Sequence, residues 1–271
     1  MIYQKVTDKL IKGIVLGKYI QKDSTIHKID PRTKLFILIP ILSAITASNN
    51  ILFISGYFLI FLIGFSISKI PFKYLFINIR PFLWILIITF FIHLFFSSGK
   101  IIFTLYFIRI TEEGIVKGGL NTFRIFLLLS FSILLMLTTS PLDLTDSFEK
   151  ILNPLKKINI PVDRITIMMG ISLRFIPTLF DEAERIKKAQ MARGASFEGN
   201  IISRAKKTIS IVFPLMVSVF RRADELALAM EAKGYPGVEN RTSFRELKFK
   251  KLDYIIMTII FSYTLLGILL K

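Results

Sequence analysis

The feature that most constrains this chain is a series of apolar runs, each close to the length of a bilayer crossing. Lys and Arg crowd beside these runs and hardly occur inside them. A helix needs about 20 mostly apolar residues to span the hydrocarbon core. Four segments approach that length: Ile51–Ser68, 81–96, 120–139 and 254–270. A fifth, 35–48, is shorter and is set off from the next run by Asn49-Asn50. It reads either as a short upright span anchored by a snorkelling Lys34 or as half of a re-entrant hairpin, with the span preferred. The expected fold is therefore an all-α polytopic membrane protein with about five transmembrane helices. An apolar content of 53% and a mean hydropathy of +0.60 are too high for an ordinary soluble domain of 271 residues.

The formal charge of +17 would suggest nucleic acid in a soluble protein. Here the placement of the charges points to the membrane and away from a nucleic-acid partner. Lys5, Lys9, Lys12, Lys18, Lys22, Lys28, Arg32 and Lys34 precede the first run, and Lys69, Lys73 and Arg80 lie between runs without an acid. The 97–117 connection instead balances Lys100, Arg109 and Lys117 against Glu112 and Glu113. By the positive-inside rule the N-terminus is cytoplasmic and the C-terminus external. The first residues have neither the apolar core nor the cleavage site of a signal peptide, so none is expected.

Little inside the runs could perform chemistry. Cysteine is absent, which excludes disulfides, thiolate metal sites and cysteine nucleophiles. No Asp, Glu or Lys sits mid-run. Ser43, Thr46, Ser66, Thr89, Ser130, Ser132 and Thr138 read as interhelical hydrogen-bonding groups. His93 reads as a satisfied polar contact at a helix interface, since a proton relay needs several such groups. Arg124 is expected to snorkel outward or pair with a neighbouring helix. Gly13-Ile-Val-Leu-Gly17-Lys18-Tyr19 is one residue short of a phosphate-binding loop and lacks its hydroxyl. No cofactor or metal is implied.

The chain thus divides into 1–140, holding an N-terminal segment and four spans, 141–251, a helical cytoplasmic module, and 252–271, the last span. Within the module, Ser140-Pro141 opens a helix with Asp143, Asp146 and Glu149 following, and Asn153-Pro154 ends it. A second helix runs from about Pro161 to Ala192-Arg193-Gly194, and a third from about Asn200 to Ala232-Lys233-Gly234, with Pro236 beyond. Pro177 and Pro214 should kink them. Both are too apolar to be free rods. Ile165, Met168, Met169, Leu173, Ile176, Leu179 and Phe180 form one face, and Ile211, Val212, Leu215, Met216, Val219 and Phe220 the other. The methionines suit a surface that repacks against a partner.

The two helices also end alike. Residues 180–194 overlay 220–234 without a gap, pairing Phe180 with Phe220, Ala183 with Ala223, Ala189 with Ala229, Ala192 with Ala232 and Gly194 with Gly234. Arg193 meets Lys233 in the same register. Gly at such a position permits the left-handed turn that closes a helix, and the preceding cation sits at the negative end of the dipole. Two such endings suggest two basic tips entering equivalent acidic pockets, Arg193 holding a carboxylate bidentately and Lys233 acting as a point charge.

These stretches resemble the transmembrane coupling component, or T subunit, of energy-coupling factor importers for vitamins and transition metals. The resemblance covers essentially the whole chain. It is carried by Ala192-Arg193-Gly194, Ala232-Lys233-Gly234-Tyr235-Pro236, the 24–34 segment, Thr139-Ser-Pro-Leu-Asp-Leu144 and Ser172-Leu-Arg-Phe-Ile-Pro177. One departure is Lys233, where that family usually carries arginine. The resemblance implies a bacterial plasma-membrane protein that is not itself an enzyme. It implies that the two motifs dock onto a pair of ATP-binding-cassette ATPases, and that a separate substrate-binding membrane subunit is cradled by the crossed helices. For that second contact Met168, Met169, Leu173, Ile176, Leu215, Met216 and Val219 are the candidates. The competing reading is a self-contained transporter or channel, which would place charged or broken helices at mid-membrane.

Overall fold

The computed structural model describes residues 19–105, 108–158, 160–197, 200–235, 237 and 249–269. The N-terminal lysines 5–18, the short glycine loop at 13–18 and Pro236 lie outside the described residues. Helices dominate: α1 (Thr25–Lys28), α2 (Pro31–Ala47), α3 (Ile51–Ser68), α4 (Phe72–Ile79), α5 (Leu83–Phe96), α6 (Glu112–Thr138), α7 (Pro141–Leu152), α8 (Val162–Ala192), α9 (Ile201–Ala232) and α10 (Lys251–Leu269). Two compact units result, one of residues 1–144 with 247–271 and one of 145–246.

In the first unit, Ile51–Ser68, Phe72–Phe96 and Glu112–Thr138 are each long and apolar enough to cross a membrane. The chain is an all-α membrane protein, and two of these helices are longer than the apolar runs alone suggest. The basic 69–80 stretch, expected to be a connection, is helical from Phe72 and joins α5 through a 3-10 turn at Arg80–Phe82. Pro81, which has no N–H to donate, falls in this 3-10 turn, where the regular α-helical ladder is already interrupted. Leu75, Asn78 and Ile79 bury one face of the added segment. Likewise α6 begins at Glu112, eight residues ahead of the apolar run, because Thr111 caps it: its Oγ1 accepts from Gly114 N–H at 3.1 Å and donates to the Ser97 carbonyl at 3.0 Å. Before it, Ile101–Leu105 and Ile108–Thr111 pair as an antiparallel hairpin inside the expected connection.

The 35–48 segment lies in α2, a 17-residue helix that starts at Pro31 and carries Pro40 inside it. Asp30 caps it, accepting from Arg32 N–H at 2.9 Å. Lys34 does not snorkel. Its Nζ turns inward to the Thr138 carbonyl (2.8 Å) and Thr139 Oγ1 (3.1 Å), placing an ammonium on the C-terminus of α6.

The core of this unit joins α2, α3 and α6 around Ile45, Ile54, Tyr57, Phe61, Leu127 and Leu137, all fully or almost fully buried. Lipid is as apolar as these side chains, so close packing rather than water exclusion holds them. Phe61 meets Phe131 edge-on at 5.6 Å, and Phe53 stacks on Tyr263 of α10 at 4.5 Å. The backbones of α6 and α5 approach each other closely. A Cβ on Gly114 would stand 3.0 Å from the carbonyls of His93 and Leu94, and one on Gly118 would stand 3.2 Å from that of Phe90. The spacing of these two glycines is the small-residue stripe that lets membrane helices touch.

The hydroxyls behave differently from expectation. Ser43, Thr46, Thr89, Ser130, Ser132 and Thr138 all donate to carbonyls three or four residues back in their own helices, at 2.7–2.9 Å. With no water available, the nearest acceptor is on the preceding turn.

Candidate docking site

In the second unit, α8 and α9 begin and end within a residue or two of the positions that their caps indicate. Each remains helical through its internal proline, Pro177 or Pro214. The pair packs together, with Arg222 Nη2 donating to Glu182 Oε2 at 3.3 Å across it.

Their endings are the same structure twice. At the first, Gly194 has φ +89°, its N–H donates to the Met191 carbonyl (3.0 Å), and Ala195 N–H donates to Gln190 (3.0 Å). At the second, Gly234 has φ +71°, its N–H donates to Glu231 (2.9 Å), and Tyr235 N–H donates to Met230 (3.0 Å). Both are Schellman motifs, in which the left-handed residue folds two N–H groups back onto otherwise orphaned carbonyls. Arg193 and Lys233 occupy matching caps, with φ/ψ of −86°/10° and −85°/8°. Ala192, Arg193, Gly194, Ala232, Lys233 and Gly234 are all exposed. A Cβ on either glycine would meet nothing within 4 Å, so the surroundings leave room and only the backbone angle calls for glycine. No ion pair to Arg193 or Lys233 occurs among the described residues.

The apolar faces divide in two. Ile176 and Val219 line a groove of about 380 Å³ between the helices, together with Phe175, Leu179, Ala223 and Met230. Met168, Met169 and Met216 are exposed, at 59%, 40% and 48%, while Leu173 and Leu215 are half-buried. Phe180, Phe213 and Phe220 are more than 60% exposed. A face this apolar on one unit is far beyond the scattered exposed side chains of a protein surrounded only by water.

The first unit holds polar contacts that pattern reading did not find. Asp253, at the start of α10, is 1% exposed and accepts from Lys250 N–H (2.6 Å) and Asp30 N–H (3.1 Å). Asp30 also receives a two-point contact from Arg32, at 3.1 and 2.9 Å, and the guanidinium lies 4.1 Å from the centre of the Phe249 ring. The 24–34 segment is therefore a clasp joining distant parts of the chain. Its local signals are two N-cap patterns, Ser24 ahead of α1 and Asp30-Pro31 at the start of α2; the partner of Asp30 lies more than two hundred residues away. His27, in the same clasp, has its Nε2 2.9 Å from the Ile20 carbonyl and its Nδ1 2.6 Å from Ser24 Oγ. The carbonyl can only accept, so Nε2 carries the proton. Burial holds this imidazole below its usual pKa, with the nearby Lys34 charge acting in the same direction and the Ile20 contact opposing.

His93 is a satisfied interface group, as its surroundings in the sequence suggest. Its Nδ1 lies 2.8 Å from the Thr89 carbonyl and its Nε2 2.9 Å from Asn121 Nδ2 on α6. Asn121 Oδ1 accepts from Arg124, which reaches on to the Ser48 carbonyl (2.6 Å) and Asn49 (3.2 Å). Arg124 thus pairs with a neighbouring turn and carries the network from α5 to the Asn49-Asn50 corner.

Comparison with known proteins agrees with this architecture. A family model described as cobalt transport protein matches residues 22–244. An energy-coupling factor transporter transmembrane protein of Bacillus subtilis is 41% identical over 249 residues, covering 90% of this chain and 93% of that relative. One from Lactococcus lactis is 42% identical over 264 residues, covering 96% and 98%. One from Streptococcus thermophilus is 40% identical over 265 residues, covering 95% and 98%. With identity at this level along nearly the full length of both chains, this protein belongs to the family of energy-coupling factor transporter transmembrane proteins.

Proposed function

We propose that the chain is the coupling subunit of an energy-coupling factor importer in a bacterial plasma membrane, with its N-terminus cytoplasmic. Two ATP-binding-cassette ATPases supply the energy, and a separate membrane subunit binds the substrate, a micronutrient of the vitamin class. The chain itself carries motion between them and hydrolyses nothing. The observation that carries this reading is the pair of superimposable basic endings. Two equivalent tips are what a matched pair of ATPases would require. Arg193 offers a planar fork for a carboxylate, and Lys233 offers a charge without the fork.

A helix of about 31 residues is roughly 45 Å long. Each of α8 and α9 is therefore a lever, held at its end by an ATPase and pressed along its apolar face by the substrate-binding subunit. Met168, Met169, Ile176 and Met216 are exposed on that face, and the methionines can follow a partner that changes orientation. Ile176 and Val219, which line the groove between the helices, couple one lever to the other. Arg193→Glu combined with Lys233→Glu tests the docking step: the ATPases should fail to co-purify while the protein stays in the membrane. Reversing two desolvated charges weakens such an interface at least about a hundredfold. Co-purification at wild-type yield would remove the assignment.

A further inference from the structure

Two depressions in the first unit meet at Ile29, which lines both. One is an apolar groove of about 360 Å³ bounded by α2, α3, α6 and α10, with Ile37, Ile63, Leu134 and Ile259 among its walls. The other, of about 390 Å³, is polar and gathers Lys28, Lys69 and Lys250 from three separate segments. We infer that together they form a site for an anionic phospholipid, the headgroup among the three lysines and an acyl chain in the groove.

The charge balance favours an anion. Asp23 and Asp253 share the polar pocket, but Asp253 is occupied by the N–H groups of Asp30 and Lys250, and Asp23 is exposed. Lys250 Nζ lies 3.4 Å from the Lys28 carbonyl, which brings the two residues together. No ion pair to Lys28 or Lys69 occurs among the described residues. Lys69 adds an independent sign. It is the one non-glycine with positive φ among the described residues, at 55°, in the left-handed position that ends α3. Glycine or asparagine is the default there, so the lysine that lines the pocket at this position is held against a backbone preference. A soluble phosphate would leave the adjoining groove empty. A membrane lipid fills both, and its headgroup lies where helix ends place basic residues at the bilayer surface.

The test uses the full-length protein in a neutral detergent, with bound lipid counted by native mass spectrometry. Phosphatidylglycerol is compared with phosphatidylcholine of the same acyl chains. The wild type should retain phosphatidylglycerol preferentially. Each lysine is worth about fivefold, so Lys28→Gln, Lys69→Gly and Lys250→Gln together should weaken retention roughly a hundredfold. Arginine at the same three positions should preserve it and serves as the control for folding. Gly64 lines the groove, and its Cβ would stand 3.6 Å from Leu134 and 3.8 Å from Ile26. Gly64→Leu should therefore fill the groove and lower retention of both lipids. Retention of phosphatidylglycerol unchanged in the glutamine/glycine variant, or in Gly64→Leu, overturns the site. So does full displacement by glycerol phosphate, which would make it a soluble-phosphate pocket.

Discussion

At the scale of single residues, Gly194 and Gly234 are defined by backbone angle and the cations beside them by exposure. An alanine placed at φ +89° or +71° meets no neighbour, yet its Cβ opposes the left-handed conformation by about 1–2 kcal/mol. Gly194→Ala and Gly234→Ala should each loosen the last helical turn by that amount, visible as faster amide exchange at residues 191–195 or 231–235. Lys233→Arg should place a fork at the second tip and tighten ATPase retention severalfold; unchanged retention would show that only charge matters there, and weakened retention that the contact does not accept a guanidinium. His27 gives a pH dependence of known sign. Its folded pKa is lowered, so the neutral ring is the stabilising form. That contribution is complete above the unfolded value of 6.5 and is lost as pH falls through the folded one. The thermal midpoint of the wild type should drop more between pH 7.5 and 5 than that of His27→Gln.

Among elements, the contact of α5 with α6 offers a paired comparison. Gly118 stands against the Phe90 carbonyl, whereas a Cβ on Gly119 would meet nothing within 4 Å. Gly118→Val should force the helices apart and lower the thermal midpoint of the membrane unit. Gly119→Ala should instead stabilise by about 0.5–1 kcal/mol, because alanine restricts the unfolded chain and clashes with nothing. Equal effects would mean that the close approach is not what holds the pair. Helix ends were legible where a cap is local: Ser140-Pro141, Pro161, Asn200 and the two glycines mark them within a residue or two. The starts of α4 and α6 were not, because Phe72–Ile79 and the first turns of α6 are made helical by packing and by Thr111, without a long apolar run.

For the molecule as a whole, the proposed coupling role predicts dependence on partners. The purified chain in liposomes should neither hydrolyse ATP nor take up a vitamin, and activity should appear only when ATPases and a substrate-binding subunit are added. Uptake by the chain alone would favour a self-contained transporter.

The sequence by itself determined the all-α membrane class, the ends of the long helices and the doubled basic ending, since each depends on interactions within about five residues or on apolar length alone. Only the tertiary structure decided where side chains of ambiguous habit point. Lys34 could as well have reached water, yet it caps α6 at Thr138; Asp253 could have been an ordinary first-turn acid, yet it receives the Asp30 N–H from the far end of the chain. A long or charged side chain takes whichever unpaired partner the fold delivers, and once buried that partner is chosen by packing between helices rather than by neighbours in sequence.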